Sequence, residues 1–330
     1  MKKNIALLAG GDSGEFEVSL RSASMVGKSL DQSLYNVYLI KMFAQDWYFE
    51  DEQNQKFPID KNDFSLELNG QKICFDAVFM MIHGTPGENG KLQGYFDLLD
   101  IPYTNCDLFT SSLTFNKFYT NQQIRMLGLM TPFSRLLLRN EKYDIDKIAE
   151  DVGLPCFVKP NEGGSSLGTT RVNKKEDLQQ AIEKAFEVDN QVLAEEFIDG
   201  TEVTCGLIRK GNDTLIFPLT EIVSKNEFFD YEAKYTKGMA DEITPARIEE
   251  DTALEVKRLS NFVYNKLFCK GIVRVDFILK NDEYYFLELN TVPGMSEASI
   301  VPQQIRAAGL KESDIFSLAI ENALNEKRSG

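Results

Sequence analysis

Four polar side chains near the C-terminal end have the types and the spacing to bind a metal-associated phosphate. Arg274 and Asp276 lie two residues apart in one apolar segment, and Glu288 and Asn290 do so in the next. Side chains along a β-strand alternate between its two faces, so each pair shares a face, and Phe286 is expected beside Glu288 and Asn290. Carboxylate and amide oxygens are ligands suited to Mg²⁺, which accompanies polyphosphates.

A solvated sheet face with incidental charge pairing is the alternative for this segment. Its neighbours, among them Val273, Val275 and Phe277, are strongly apolar, so unpaired charges there would be costly. Arginine is effectively always protonated, so Arg274 is suited to stabilising anionic oxygen rather than to proton transfer. The pattern therefore favours a functional cluster.

A glycine- and serine-rich loop over 161–168 follows an apolar segment that ends in Lys159. Small residues let backbone N–H groups approach an anion closely, and such arrangements bind phosphate. Thr169 and Thr170 stand where a Walker A loop has Lys and Ser or Thr, so this is a different kind of loop. A hairpin loop without a ligand is the alternative.

Residues 10–15 form a turn between the first predicted strand and the first predicted helix, where doubly wound sheets bind ligands. The turn lacks the G-x-G-x-x-G spacing, and the second strand ends in Lys41 and Met42 rather than in an acid, so dinucleotide binding is weakly supported. Glu15 is suited to pairing with a substrate ammonium, or with the positive end of the helix that follows it.

His83 is the only histidine of the chain. A single histidine is more often a structural hydrogen-bonding group than a catalyst. It opens a glycine-rich stretch over 83–94, however, and tight turns of this kind present backbone to a ligand. Zinc hydrolase chemistry, which uses several such ligands, is disfavoured.

The apolar pattern places these residues at the ends of strands. Two strands flanking a helix in the first part of the chain indicate a βαβ unit with a parallel sheet, and residues 44–72 are predicted to be an irregular, polar excursion. One helix is predicted from Leu113 to Gly128. The predicted strands are 4–9, 37–42, 75–81, 154–159, 191–197, 202–209, 272–279 and 284–289. The predicted fold class is α/β, with α+β lobes around one cleft.

Composition bounds the function classes. The chain has 330 residues, a formal net charge of −15 and a sequence pI of about 4.7. Such a surface repels nucleic acid and anionic membranes, and no apolar stretch reaches the length of a membrane span. Five dispersed cysteines are typical of reduced core thiols, and the apolar run after the N-terminus is too short for a signal peptide. A cytoplasmic protein is expected.

Six motifs, in order along nearly the whole chain, resemble the D-alanine–D-alanine ligases of the ATP-grasp superfamily. They occupy residues 10–20, 83–94, 158–166, 230–235, 274–276 and 288–295. The resemblance implies an ATP-grasp fold, in which an N-terminal parallel-sheet lobe accompanies central and C-terminal lobes that clamp ATP. The implied domains are a Rossmann-like substrate domain over 1–112, the central lobe over 113–198 and the catalytic lobe over 199–330.

The resemblance also implies which residues bind the nucleotide and the metal. Asp276, Glu288 and Asn290 would bind two Mg²⁺ ions, with Mn²⁺ as an alternative. The residues implied to bind ATP are Lys117, Lys159, Ser165, Ser166, Glu195, Phe197, Ile198, Glu202 and Lys234. For the adenine and ribose positions the alternative is a solvated strand end at Glu195 and Glu196, with Phe197 in the core.

The implied reaction is phosphoryl transfer followed by acyl transfer. Glu15 and His83 would bind the first D-alanine, and Ser299 the carboxylate of the second. Arg274 and the N–H of Gly294 would stabilise the tetrahedral oxyanion. The remaining implied contacts close the loops over the site, with Ser165 and Tyr235 hydrogen-bonding with Glu15.

The acceptor is open at this stage. Tyr235 stands where relatives that make the D-alanyl–D-lactate ester have histidine, which favours the dipeptide. A ligase for D-serine or D-lactate, a nucleotide-binding regulator without turnover, and a dinucleotide-dependent dehydrogenase are the other hypotheses. The family resemblance implies a homodimer.

Overall fold

A computed structural model describes residues 2–224 and 240–326 of the chain. Within these ranges the strands form three sheets, which fall in the three predicted domains. The boundaries of those domains stay a prediction. Among the described residues, no helix has both the length and the apolar character needed to cross a membrane.

The first sheet is N-terminal. Its strands are β1 (Lys3–Gly10), β2 (Tyr35–Phe43), β3 (Asp46–Glu50), β4 (Lys56–Asp60), β5 (Ser65–Leu68), β6 (Gln71–Ile73) and β7 (Ala77–Met80), in the spatial order β6-β5-β4-β3-β2-β1-β7. β1 pairs in parallel with both β2 and β7 and is buried from Ile5 onward. Central parallel strands have continuous apolar sequences because both of their faces are buried, so the parallel part of this sheet could be predicted.

The prediction of an irregular excursion over 44–72 is wrong. β3 to β6 extend the sheet beyond β2 as antiparallel strands. The rings of Trp47 and Phe64 pack edge to face on one side, with centroids 6.4 Å apart. The solvent-facing positions of these strands are polar, and Asn54 and Asn69 have positive φ in the turns between them. The polar residues therefore obscure the alternation of apolar and polar side chains that would have predicted strands.

Four helices accompany this sheet and lead out of it in the described part of the chain: α1 (Phe16–Ser29), α2 (Lys91–Leu98), α3 (Leu108–Phe115) and α4 (Lys117–Met126). The single helix predicted from Leu113 is wrong, because the chain breaks at Asn116. The backbone of Asn116 is extended there (φ −89°, ψ 99°), and its side chain accepts a hydrogen bond of 3.1 Å from the N–H of Tyr119. This N-cap starts a new helix.

The central sheet is antiparallel. Its elements are β8 (Ser134–Leu138), α5 (Ile145–Val152), β9 (Cys156–Pro160), β10 (Thr170–Val172), a 3-10 turn (Lys175–Asp177), α6 (Leu178–Phe186) and β11 (Gln191–Glu196), with strand order β10-β9-β11-β8. Ile148, Val152 and Ile182 from the two helices join a core with Val158 and Val192. The loop over 161–168 connects β9 to β10 and lies at the open edge of this layer.

The third sheet carries the predicted hairpin. Its elements are β12 (Thr201–Lys210), β13 (Asp213–Ile216), β14 (Thr220–Ser224), β15 (Ala240–Ile243), α7 (Glu250–Lys266), β16 (Ile272–Lys280) and β17 (Glu283–Asn290). The order is β15-β14-β12-β16-β17, with β13 on β12. Helix α7 contributes Val256, Val263 and Tyr264 to the core behind this sheet.

The last two described helices, α8 (Ile300–Ala307) and α9 (Glu312–Asn325), return to the N-terminal sheet. The rings of Phe316 in α9 and Phe79 in β7 pack edge to face, with centroids 5.8 Å apart. Ile315, Ala319 and Ile320 belong to the same buried cluster as β1 and β7. The first and last parts of the chain therefore share one hydrophobic core.

Candidate active site

A cleft of about 1150 Å³ lies where the three sheets meet. Its lining includes every predicted site residue that the structure describes. These residues are Glu15, His83, Lys117, Lys159, Ser165, Ser166, Glu195, Phe197, Ile198, Glu202, Arg274, Asp276, Glu288, Asn290, Gly294 and Ser299. Lys234 and Tyr235, which were also predicted, lie outside the described residues.

The hairpin cluster is arranged by strand register. Arg274 lies opposite Asn290, and Asp276 lies opposite Glu288, so all four side chains share the cleft face. Arg274 donates to both oxygens of Asp276, from Nε to Oδ1 at 2.8 Å and from Nη2 to Oδ2 at 2.7 Å. Asn290 Nδ2 donates to Asp276 Oδ2 at 3.1 Å. The two-residue spacing thus gives the convergence that it predicted.

The charges in this cluster stabilise one another. Asp276 is 3% exposed, and Arg274 Nη2 lies 3.8 Å from Glu288 Oε1. Burial alone would lower the pKa of Arg274, but the neighbouring Asp276 and Glu288 more than reverse this and raise it. Arg274 is therefore a permanent cation beside two carboxylates, held by a bidentate contact with Asp276.

A β-bulge corrects the predicted position of Phe286. The register shifts between Asp276 and Phe277, so that Phe277 pairs with Phe286. Phe286 is fully buried, and its ring lies edge to face with that of Phe277, with centroids 6.0 Å apart. Phe286 is on the core face and not beside Glu288. Leu287, for which no role was predicted, lines the cleft instead.

The donor set of the hairpin fits a divalent metal. Asp276, Glu288 and Asn290 supply two carboxylates and one amide, and the amide nitrogen of Asn290 lies within hydrogen-bond distance of both carboxylates. Hard cations bind such oxygen ligands. Residues 2–224 and 240–326 contain no cluster of three His, Cys, Asp or Glu side chains able to hold a metal. A metal here would therefore depend on the amide oxygen of Asn290 and on oxygens from a ligand.

The glycine-rich loop reaches across the cleft to the N-terminal turn. Ser165 Oγ donates a hydrogen bond to Glu15 Oε1, and Lys117 Nζ donates to the carbonyl oxygen of Gly163 at 2.5 Å. A Cβ at residue 164 would lie 2.6 Å from Glu15 Oε2, so a side chain at this position would displace the Glu15 carboxylate. Ser165 and Ser166 have positive φ values of 52° and 58°. Such left-handed backbone is costly for serine and is concentrated at functional loops.

The far end of the cleft contains a buried ion pair. Lys159 Nζ lies 2.5 Å from Glu195 Oε1, and their side chains are 13% and 3% exposed. The guanidinium carbon of Arg171 lies over the ring of Phe197, 4.6 Å from the ring centroid. The alternative of a solvated strand end is wrong for Glu195, because this residue is buried in β11 between β8 and β9. Glu202, at the start of β12, faces the cleft from the third sheet.

His83 is buried and its two ring nitrogens have defined partners. Nδ1 lies 2.7 Å from the carbonyl oxygen of Val292, to which it must donate. The Ser22 hydroxyl lies 3.1 Å from Nε2 and accepts a hydrogen bond from the N–H of Met295 at 3.1 Å. Burial lowers the pKa of His83, so the neutral ring is favoured. His83 thus joins helix α1 to the segment that follows β17.

Glu88 is a site residue that the sequence did not single out. Its carboxylate accepts hydrogen bonds from the N–H of Gly84 at 2.6 Å and from the N–H of Val292 at 3.2 Å. Burial, and then the negative charge of Glu15, raise the pKa of Glu88 to about 8. A carboxylate within a glycine-rich stretch was the available signal, but its partner is distant in the chain.

Gly294 and Ser299 form the remaining wall. The N–H of Ser296 donates to Ser299 Oγ at 3.0 Å, and Ser299 is the N-cap residue of α8. A Cβ at residue 294 would lie 3.0 Å from Ser299 Oγ. This part of the cleft therefore offers backbone N–H groups and a hydroxyl next to the hairpin cluster.

Fold and site together define a class of enzyme. A parallel-sheet lobe, an antiparallel sheet with a glycine-rich loop, and a sheet with an acidic hairpin meet at one cleft, as in ATP-grasp ligases. The chain belongs to the D-alanine–D-alanine ligase family. The family model for the N-terminus of these ligases matches residues 4–106, and the one for their C-terminus matches residues 126–321.

Individual relatives extend over the whole chain. A D-alanine–D-alanine ligase of Phocaeicola vulgatus is 49% identical over 323 residues, 98% of this chain and 99% of the relative. The crystal structure of the VanG D-Ala:D-Ser ligase from Enterococcus faecalis superimposes with a TM-score of 0.87 at 32% identity, over 98% of this chain and all of the other. That of the D-alanine–D-alanine ligase from Bacillus anthracis complexed with ATP gives 0.78 at 27% identity, over 98% and 97%.

Proposed function

We propose that this protein joins two D-alanine molecules, with conversion of ATP to ADP and phosphate, to give the D-alanyl-D-alanine of peptidoglycan precursors. The observation that carries the proposal is the single cleft, in which Glu15, the glycine-rich loop and the Arg274 cluster face one another. Family membership supplies the substrate class. D-serine or D-lactate as acceptor is the alternative, and Tyr235 favours D-alanine.

The first step is phosphoryl transfer. Glu15 binds the ammonium of the first D-alanine, and the buried neutral ring of His83 borders the same end of the cleft. The substrate carboxylate attacks the γ-phosphate of ATP and forms an acyl phosphate. Catalysis of this step consists of positioning and charge stabilisation, so no covalent intermediate with the protein is needed.

The second step is acyl transfer. The amine of the second D-alanine, whose carboxylate meets Ser299, attacks the acyl carbon and displaces phosphate. Arg274 and the N–H of Gly294 stabilise the oxyanion that develops. Ser165, which is hydrogen-bonded to Glu15, and Tyr235 close loops over the site and keep water from the acyl phosphate.

The nucleotide is assigned to the region between the central and third sheets. Lys117, Lys159, Ser165, Ser166 and Lys234 bind its phosphates, and Glu195, Phe197, Ile198 and Glu202 bind its adenine and ribose. Asp276, Glu288 and Asn290 would hold two Mg²⁺ or Mn²⁺ ions, which when bound neutralise phosphate charge.

The wider setting is also proposed. The lobes over 1–112, 113–198 and 199–330 act as substrate domain, central nucleotide lobe and catalytic lobe. A net charge of −15 argues against nucleic acid and anionic membranes as partners. We expect a cytoplasmic homodimer, as the family resemblance implies.

Phosphate release tests the function. The protein is incubated with ATP and Mg²⁺ and with D-alanine, L-alanine, or D-alanine mixed with D-serine or D-lactate, and products are identified by mass. Release with D-alanine alone, giving the dipeptide, is expected. Products only with a mixed acceptor would move the function to a variant ligase, and ATP binding without any release would favour a regulator.

A further inference from the structure

A partly buried carboxylate in the cleft wall has no role in the reaction described so far. Glu242 is in β15 and lines the cleft together with Arg274 and Ser299. Gln303 Nε2 donates a hydrogen bond of 2.7 Å to Glu242 Oε2. Glu242 is thus fixed by a side chain from another element and not by a neighbour on its own strand.

The hydrogen bond places Glu242 at the acceptor end of the cleft. Ser299 is the N-cap of α8, and Gln303 lies one turn further along, with its N–H 3.3 Å from the carbonyl oxygen of Ser299. Gln303 Nε2 also donates to the carbonyl oxygen of Ala298 at 2.8 Å. Glu242 is therefore tied to the same helical turn as Ser299, which is assigned to the carboxylate of the second amino acid.

The electrostatic surroundings of Glu242 are mixed. Burial raises its pKa, while the hydrogen bond from Gln303 and the positive charge of Arg274 lower it. Arg274 lines the same cleft, and its positive charge favours the ionised carboxylate of Glu242. An amino acid whose carboxylate is at Ser299 carries its ammonium only two bonds from the carboxyl carbon, so that ammonium comes close to the same wall.

We propose that Glu242 is a specificity-determining residue of the acceptor subsite, where its carboxylate binds the ammonium of the incoming amino acid and accepts one of its protons. This inference rests on the proposed ligase function. Once the first proton is on Glu242, the amine attacks the acyl phosphate, the C–N bond forms and the C–O bond to phosphate breaks. A second amine proton leaves with the phosphate. An acceptor hydroxyl has no ammonium and gains nothing from Glu242.

Hydroxylamine separates the two half-reactions. This small neutral nucleophile captures the acyl phosphate as a hydroxamate, without an amino acid in the acceptor subsite. In Glu242→Gln we expect the KM for acceptor D-alanine in dipeptide synthesis to rise at least about tenfold, as for loss of a charge-assisted contact. The rate of hydroxamate formation by Glu242→Gln should stay within about twofold of the wild-type rate. An unchanged rate also shows that the sites for the nucleotide and the first D-alanine are folded in the variant.

Two further variants complete the test. Glu221→Gln, on the neighbouring strand β14, removes a carboxylate that pairs with Arg247 at 2.9 Å, and it should leave both products unchanged. Glu242→Asp keeps the charge and should recover part of the acceptor affinity.

Equal losses of hydroxamate and dipeptide in Glu242→Gln would overturn the inference, because they would assign Glu242 to support of Arg274 or of the fold. An unchanged acceptor KM would overturn it too. Failure of the wild-type protein to make dipeptide would instead overturn the proposed function.

Discussion

The hairpin and the N-terminal end of the cleft are built in opposite ways. In the hairpin, Asp276 and Asn290 are fourteen residues apart and meet because adjacent strands pair. At the N-terminal end, His83 bonds to Val292, which is 209 residues away. The first arrangement is local and follows from strand spacing, while the second exists only after distant lobes have packed.

The two regions also differ in charge. The hairpin sets one cation beside two carboxylates, so one of their negative charges is compensated before any ligand binds. At the N-terminal end Glu15 and Glu88 lie close enough for Glu15 to raise the pKa of Glu88, and these two side chains accept hydrogen bonds from a hydroxyl and from backbone N–H groups. A cationic ligand therefore stabilises the N-terminal end, whereas the hairpin holds oxygen ligands ready for a metal or phosphate.

The largest effect is expected from Asp276→Asn in the hairpin. The change preserves shape but removes the carboxylate that holds Arg274 bidentately, so ATP turnover with D-alanine should fall by about 10³-fold. Steady-state phosphate release measures this, with Asp282→Asn in the exposed turn of the same hairpin as control. Near-wild-type turnover in Asp276→Asn would remove the proposed metal and phosphate role of the hairpin.

Glu15→Gln should act on one substrate only. Loss of the charge that binds the ammonium is expected to raise the KM for the first D-alanine by about 10- to 100-fold and to leave the KM for ATP nearly unchanged. Separate titrations of the two substrates measure this. If both constants rise together, Glu15 is a structural partner of Ser165 and not a substrate ligand.

Glu88→Gln should change how stability depends on pH. Because the folded protein raises the pKa of Glu88 from 4.5 to about 8, it binds the proton more tightly than the unfolded chain. This contribution is complete below about pH 4.5 and is lost as the pH rises toward 8. The free-energy advantage of wild type over the variant should therefore shrink between pH 5 and pH 8.5, by on the order of 1–3 kcal/mol. Urea unfolding of both proteins checks it, and parallel curves would contradict the raised pKa.

Ser22→Ala should have the smallest effect. Its hydroxyl bridges His83 Nε2 and the N–H of Met295, so its removal leaves two buried groups without that partner. We expect a loss of about 1 kcal/mol of stability and a few-fold lower turnover. Thermal unfolding and phosphate release measure these. A loss as large as that of Asp276→Asn would mean that the N-terminal end is as finely positioned as the hairpin.

The success of prediction from the sequence depended on how far apart in the chain the contacting residues lie. Strand alternation correctly placed Arg274 beside Asp276 and Glu288 beside Asn290, but a one-residue bulge turned Phe286 into the core and Leu287 into the cleft. No local pattern records such a bulge, because both residues are apolar.

Longer-range contacts were missed for a related reason. The partner of Glu88 is the backbone of Val292, and a backbone N–H leaves no trace in the sequence. Similarly, the strands within 44–72 form one side of the N-terminal sheet, and their outward-facing residues are mostly polar. The polar composition of the segment therefore concealed its strands. The family resemblance supplied roles for distant residues such as Glu15 and Ser299, but it predicted neither the contact of Glu88 nor these strands.

The shared core of the first and last segments has a consequence for the order of synthesis. Phe79 in β7 packs on Phe316 in α9, so one face of the N-terminal sheet is complete only when the final helix has been made. The nascent chain must carry this apolar face uncovered while the central and third sheets are still being translated. A ribosome-stalled chain that ends before residue 312 should therefore retain an exposed apolar surface that chaperones can bind.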